Sequence, residues 1–370
     1  MRIGIDTRML GPTVGGGGLG RYVEELSHEL LQLDHKNRYV LFLKKENFES
    51  IQGDCEKRLA DVHWYTAKEQ LVLPKLIDQE GLDLIHFPHW NVPLRLRTPF
   101  VVTIHDLILL EEPRSAKATT RHPLIYALKY QAYRFVLRSA LKRSRAIIAV
   151  SEYTKSAILN HFPWVPSEKI HVVYEGITNL SSLQPSNTSP KNAPYFLYVG
   201  NAYPHKNLES LLHAFSFFHK IHPEVQLILA GRDDLFYQRL KKELSEIDVH
   251  PEAVTFVLNP TDQELADLYR NATLYLFPSR SEGFGLPPLE AMSFGVPVAA
   301  ARRTSLPEIL GEAALYFDPD DIEDMVATME QALTDKPLRE HLTQKGHEQI
   351  KRYSWKTMAD KILEIYASCA

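Results

Sequence analysis

Short, nearly continuous apolar runs recur along the chain, and between them apolar residues return every three or four positions. In the first half the runs are "RIGID", "RYVLFL", "VHWY", "DLIHF", "FVVTIHD", "AIIAVS" and "IHVVYE". Their shortness and their β-branched and aromatic content predict strands, whereas residues 21–33 and 152–160 carry a helical period. Strands that are apolar on both faces and alternate with helices predict a parallel sheet covered on both sides. Residues 178–194, "TNLSSLQPSNTSPKNAP", break the rhythm; rich in Ser, Pro and Asn, they predict a linker. The alternation restarts with "YFLYVG", a helix bearing Leu208, Leu211, Leu212 and Phe215 on one face, then "VQLILAG", "VTFVL", "TLYLFPS", "VPVAAA" and "LYFDP". The last segment, "YSWKTMADKILEIYASCA", has a helical period and a suitable cap in Ser354.

This pattern predicts an α/β fold of two doubly wound, Rossmann-like parallel-sheet domains, residues 1–177 and 195–354, facing a cleft. Ligands of such sheets bind outside the carboxyl ends of the strands, so the chemistry is expected there. Composition agrees: 370 residues exceed one compact core and suit two domains. A net charge of −4 argues against a nucleic-acid binder. Cys55 and Cys369 are the only cysteines, too few for a disulfide framework or a zinc cluster. No apolar run approaches the ~20 residues that span a bilayer. With a strand beginning at Arg2, no signal peptide is expected, and a cytoplasmic location follows as the expectation.

Two loops carry candidate chemistry. The first, "MLGPTVGGGGLGRYVEELSHEL", satisfies G-x-G-x-x-G at Gly15, Gly17 and Gly20. A nicotinamide-binding loop follows its strand within a residue or two, but here eight residues separate Asp6 from Gly15. The second is "SRSEGFGLPPLEAMSFGVP", with Glu282 and Glu290 eight apart around "GFGLPP". The preceding strand is expected to end near Phe277 and a helix to start around Pro287 or Pro288, which puts Glu290 in its first turn. Peptide N–H groups of the loop and helix start would face one space and suit an anion, while each carboxylate can accept two hydroxyls. Acids flanking an N–H cluster suit a molecule with diols on either side of a diphosphate, a nucleotide-sugar. The alternative from spacing alone is that Glu290 complements the helix dipole beside a plain turn.

"SEGFGLPPLEAMSFGVPV" resembles the E-x7-E region of retaining glycosyltransferases of family 4, which have the GT-B fold. The glycine loop, "VVTIHDL" and "YVGNAYPHKNLESLLHAF" match the same family in the same order, and residues 355–370 are similar to the helix that crosses back to its first domain. The resemblance implies that Glu290 binds the ribose hydroxyls and Glu282 the transferred sugar. It implies that the amides around Phe284, Gly285 and Leu286 hold sugar or phosphate, and that Lys206 neutralises the donor diphosphate. Gly17 and Gly18 would let the backbone approach that diphosphate, and His105 would hydrogen-bond the reacting sugar. Asn259, beside Leu258, falls on the base-reading loop. His86, His89, Trp90 and Asn91 in "HFPHWNVPL" are expected on the acceptor side. One departure stands out: many members carry an arginine before the lysine, near the position of Asn201, where this chain has "GNAYPHKN".

The implied activity is transfer of a hexose with retention of configuration, by front-face attack. Mannose from GDP-mannose is the expected donor, with a UDP-sugar as the alternative, and the acceptor is a glycan or a lipid-linked acceptor. No cofactor and no metal are expected. The D-x-D in "DPDD" at 318–321 reads as a turn and cap, and lysine and helix N-termini would serve the leaving group. Segment 114–145 has nine Lys or Arg and no acid, with Tyr126, Tyr130, Tyr133 and Leu137 at helical spacing. It is either a peripheral membrane contact on the cytoplasmic face or a core helix with a solvated basic side. The rivals are an NAD-dependent dehydrogenase and a non-catalytic sugar-nucleotide or glycan-binding protein.

Overall fold

The computed structural model describes residues 1–112, 123–178, 180–185 and 193–369. In chain order the elements of the first half are β1 (Arg2–Asp6), α1 (Gly17–Leu33), β2 (Arg38–Leu43), β3 (Cys55–Leu59), α2 (Ala67–Asp78), β4 (Leu84–Phe87) and β5 (Phe100–Ile104). There follow α3 (Ile108–Glu111), α4 (Pro123–Arg143), β6 (Ala146–Ala149), α5 (Glu152–His161) and β7 (Ile170–Val172). The second half holds β8 (Tyr195–Val199), α6 (Leu208–Ile221), β9 (Gln226–Gly231), α7 (Leu235–Leu244), β10 (Val254–Leu258), α8 (Asp262–Asn271) and β11 (Leu274–Phe277). It ends with α9 (Leu286–Ser293), β12 (Val298–Ala301), α10 (Leu306–Leu310), β13 (Ala314–Phe317), α11 (Ile322–Thr334), α12 (Lys336–Gln349) and α13 (Trp355–Ser368).

These elements form two compact units. The first takes residues 1–107, 123–176 and 353–369. Its seven strands are all parallel in the order β3-β2-β1-β4-β5-β6-β7. The central strands are buried on both faces, which is why they read as unbroken apolar runs. The C-terminal helix α13 returns to this unit and packs on α1. Ser354 caps it, its hydroxyl accepting from the Thr357 N–H, as its sequence signature predicts.

The second unit holds residues 177–352 and the short helix α3. Its six parallel strands run β10-β9-β8-β11-β12-β13. The described part of the segment expected to be a linker folds onto this unit. Leu180 is buried, and the carbonyls of Leu183 and Gln184 accept from Arg270 and Gln263 of α8. In each sheet the order reverses direction once, between β1 and β4 in the first and between β8 and β11 in the second. A crevice forms at that point, outside the carboxyl ends.

One strand departs from the expected list. "VHWY" is not a strand; Val62 is buried and the chain turns after it, while β3 is "CEKRL", seven residues earlier. β3 lies at the sheet edge, where it needs no apolar run. Charge holds it instead: Arg2 and Arg58 share Glu56 and Glu80.

Candidate active site

Within the second unit, the loops after β8 and β11 meet at the switch point. The first runs from Gly200 through a short turn, Pro204–Lys206, into α6. The Tyr198 hydroxyl donates to the Asn201 carbonyl at 2.7 Å and the Gly200 N–H to Ala230 O at 2.9 Å, which shapes the loop. Asn207 stands before α6 but does not cap it. Its backbone is left-handed (φ +60°), and its side-chain amide donates to Pro319 O at 2.8 Å. The second loop carries Glu282, whose N–H donates to Thr304 Oγ1 at 3.0 Å. The Ser305 hydroxyl bridges Glu282 O (3.0 Å) and Phe284 O (3.2 Å), pinning both ends of the Glu282–Phe284 backbone.

These loops bring Lys206 and Glu282 together. Lys206 Nζ donates to Glu282 Oε1 at 2.5 Å, with only 13% and 10% of the two side chains exposed, and Nζ also lies 5.4 Å from the centre of the Phe277 ring. The neighbouring His205 is buried; burial, then the Lys206 charge, holds its pKa well below the ordinary histidine value, so the ring is neutral. Helix α9 begins at Leu286, a residue earlier than expected, so Glu290 sits in its second turn rather than its first. There Glu290 accepts from the hydroxyl of buried Tyr269 at 3.2 Å. Pro287 and Pro288 have no N–H, so the helix start offers only the amides of Gly285 and Leu286 before Leu289. Gly285 has φ +105°, and a Cβ there would meet Leu306 at 2.9 Å.

Three further sequence candidates lie around this loop pair. Asn201 accepts from the Tyr203 N–H at 3.4 Å. Asn259, also left-handed, uses its carbonyl oxygen to accept from the Asp233 N–H at 3.0 Å and so fixes the loop after β9. The "DPDD" aspartates behave as turn and cap. Asp321 caps α11, and Asp318 and Asp320 pair with Arg303 and Arg280. Among the described residues no group of three or more His, Cys, Asp or Glu is placed to hold a metal.

Within the first unit, the loops after β1 and β4 occupy the corresponding switch point. The glycines divide their tasks. A Cβ at Gly15 would fall 2.0 Å from Met9 O, so Gly15 is needed for packing. Gly16 and Gly17 have φ of +80° and +37° with open space where a side chain would go, and Gly17 and Gly18 are exposed at the start of α1. Their amides are therefore approachable by an anion.

His105, at the end of β5, has both ring nitrogens against acceptors: Nδ1 and Glu175 Oε1 at 2.9 Å, Nε2 and Pro88 O at 2.9 Å. Satisfying both requires two N–H groups, the imidazolium form. Burial opposes the charge, but the Glu175 hydrogen bond and carboxylate, the Pro88 carbonyl and Asp106 raise the His105 pKa above the ordinary histidine value. His105 thus enters the structure as an anchored ring, with Nε2 already engaged.

The expected acceptor-side residues separate. His86 is fully buried between the Tyr366 hydroxyl (2.6 Å) and Thr103 Oγ1 (2.8 Å), and burial lowers its pKa to about 3. It belongs to the core, locking α13 to β4, and not to an open face. Asn91 is buried too, its Oδ1 accepting from His89 Nδ1 at 2.9 Å and its Nδ2 donating to Glu69 at 2.7 Å. Only His89 and Trp90 keep exposed surface. Sequence reading missed the anchors. Glu175 ends the run "IHVVYE", and Arg8, buried, forks between Asp6 (2.8 Å) and Glu69 (2.7 Å). Their one signal is a charged residue at the end of an apolar strand.

Two parallel-sheet α/β units, each with its candidate residues at the switch point, define a glycosyltransferase of the GT-B fold. The chain belongs to glycosyltransferase family 4 and is mannosyltransferase-like. It matches the family model described as Glycosyltransferase Family 4 over residues 16–178 and that described as Glycosyl transferases group 1 over residues 181–349. O-antigen chain mannosyltransferase B of Escherichia coli is 30% identical over 295 residues, 76% of this chain and 74% of that protein. O-antigen chain mannosyltransferase RfbU of Salmonella typhimurium is 31% identical over 266 residues, 71% of this chain and 69% of that protein. Among solved structures, sucrose-phosphate synthase of Thermosynechococcus elongatus has a TM-score of 0.79 at 22% identity over 100% of this chain and 98% of its own. Anabaena HepE, solved in complex with UDP and glucose, has a TM-score of 0.74 at 19% identity over 100% of both chains. These two likenesses concern the fold alone.

Proposed function

We propose that this glycosyltransferase moves mannose from GDP-mannose to a glycan or lipid-linked acceptor with retention of configuration and without a metal. The observation that carries the reading is the Lys206–Glu282 pair at the β8/β11 switch point, with Glu290 one helix turn beyond. A nucleotide-sugar exchanges that pair for better partners. Its diphosphate takes the Lys206 ammonium, its sugar hydroxyls take Glu282, and its ribose hydroxyls take Glu290. The Gly285 and Leu286 amides are further donors for phosphate oxygens. In the transfer the bond from the anomeric carbon to the phosphate oxygen breaks and the acceptor oxygen bonds to the same face of that carbon. The acceptor's proton goes to the departing phosphate. Lys206 acts on the charge that develops on the leaving group, the position where fixed donors count most.

Mannose is favoured over glucose by the names of the two O-antigen relatives, both mannosyltransferases. The test is a thermal-shift panel of GDP-, UDP- and ADP-sugars. GDP-mannose at 100 times its dissociation constant should stabilise the chain by about 2.7 kcal/mol. Transfer to an acceptor should vanish in Glu282→Ala. Stabilisation by UDP-glucose alone would replace the donor assignment, and no response to any sugar nucleotide would remove the reading.

We further propose that α4 touches the cytoplasmic face of a membrane. No described helix is long and apolar enough to cross one. The outer side of α4, however, exposes Leu128 (74%) and Phe135 (63%) among Lys129, Arg134, Arg138 and Lys142. Apolar side chains within a basic surface suit an anionic headgroup layer. Residues 114–122 of the basic segment lie outside the described residues. Vesicles containing anionic lipid should sediment the protein at low salt, and Leu128→Ser with Phe135→Ser should release it.

A further inference from the structure

Four aromatic rings of the first unit form a continuous strip. Tyr65 lies nearly parallel to Trp90, with centroids 5.1 Å apart and planes 13° apart. Trp90 meets Tyr133 edge-on at 4.7 Å, and Tyr133 lies 6.1 Å from Tyr130. Trp90 comes from the loop after β4, at the switch point, and the two tyrosines from one stripe of α4. The strip therefore begins at the switch point of the first sheet and leads away from it.

Core packing explains Tyr133, which is 7% exposed, but not Tyr65, which is 48% exposed. Tyr65 also has φ +61°, a backbone state that bulky side chains rarely adopt and that persists only when neighbours impose it. Here the imposing group is Glu69, buried, which accepts from the Tyr65 N–H at 2.8 Å while also holding Arg8 and Asn91. A buried charged network thus keeps an exposed ring flat against Trp90. The rim of the strip is polar: the Tyr65 hydroxyl lies 3.4 Å from His89 Nδ1, and Arg134 is exposed beside Tyr130.

Flat rings with a polar rim match a pyranose, which has a C–H face and an equator of hydroxyls. They match a lipid chain poorly, and the exposed Leu128 and Phe135 lie on the opposite side of α4. We infer that Tyr65, Trp90 and Tyr130, backed by the buried Tyr133, form a track for an acceptor oligosaccharide, seating sugar units beyond the one that is extended. The inference rests on the reading of the acceptor as a glycan; it is independent of which donor is used.

The test is calorimetric binding of an α-linked mannotetraose and of methyl α-mannoside to the intact chain, with the GDP-mannose thermal shift measured alongside. The tetraose should bind at least about tenfold more tightly than the monosaccharide. Tyr65→Ala and Tyr130→Ala should each remove most of that difference while leaving the monosaccharide affinity and the donor shift unchanged. Tyr130→Trp, which keeps an aromatic face, should retain it. Equal binding of the two sugars by the unmodified chain would overturn the track, as would Ala variants that bind the tetraose as the unmodified chain does. Loss of the donor shift with tetraose binding intact would count against the donor reading and leave the track standing.

Discussion

Replacing Lys206 by methionine tests whether the Lys206–Glu282 pair is built into the second unit or merely adjacent. The side chains are 13% and 10% exposed and the contact is 2.5 Å, so this is a desolvated pair rather than a surface one. Removing one partner leaves a carboxylate with little water to replace the ammonium. Such truncations cost about 3–5 kcal/mol, and the remaining exposure places this one near the lower end, at roughly 3 kcal/mol. For a domain of this size each kcal/mol moves Tm by roughly 2–4 °C, so Lys206→Met should lower the transition by about 6–12 °C. Glu282→Gln keeps an acceptor for the ammonium and should cost about 1 kcal/mol.

The double variant decides the reasoning. With both charges gone, the penalty for a lone buried ion disappears, and about 2 kcal/mol should be recovered relative to the sum of the single changes. Calorimetry of the intact chain, following the transition that GDP-mannose shifts, measures all four corners of the cycle. Additive single effects, or a Lys206→Met variant within about 0.5 kcal/mol of the parent, would refute it. All three variants should lose the donor response, because recovery of stability does not restore the groups proposed to bind diphosphate and sugar.

Three other outcomes are expected. Gly15→Ala should unfold or strongly destabilise the first unit, since its Cβ would lie 2.0 Å from Met9 O, whereas Gly18→Ala should fold; melting curves of both distinguish packing from phosphate approach. The charged His105 beside Glu175 has a folded-state pKa raised above its unfolded value, so its stabilisation is fully present below the unfolded value and is lost as pH rises through the raised one. Glu175→Gln should move that loss to lower pH in a denaturation series, and an unchanged pH profile would count against the assignment. Arg232 follows β9, next to the Gly200–Asn201 end of β8, and is exposed with no acid partner among the described residues. It is expected to make good the arginine absent near Asn201. Arg232→Ala should weaken GDP-mannose binding about tenfold at nearly unchanged stability, and parental affinity would dismiss it.

What could be read from the chain beforehand follows the range over which each feature is determined. Strands such as "FVVTI" and "LYLF" are buried on both faces, so local composition suffices. Lys206 and Glu282 stand in loops and Glu290 in the helix that follows at once, so their spacing is local as well. The edge strand β3 escaped because its partners, Arg2 and Glu80, lie on either side of it in sequence, and only folding shows that they neutralise Glu56 and Arg58. His86 misled for the same reason. A histidine on a strand near a candidate site looks available until Tyr366, 280 residues later, closes over it. Tyr65 is the opposite case, an aromatic residue that composition assigns to a strand and the Glu69 network turns outward. Buried charge is the common cause: Arg8, Glu69 and Glu175 each hold a neighbouring group in place, and a buried ion is tolerated only where several partners converge on it. Convergence of that kind is a property of the three-dimensional arrangement, so residues that hold the site emerge from the structure even where those that would touch the substrate are legible in the sequence.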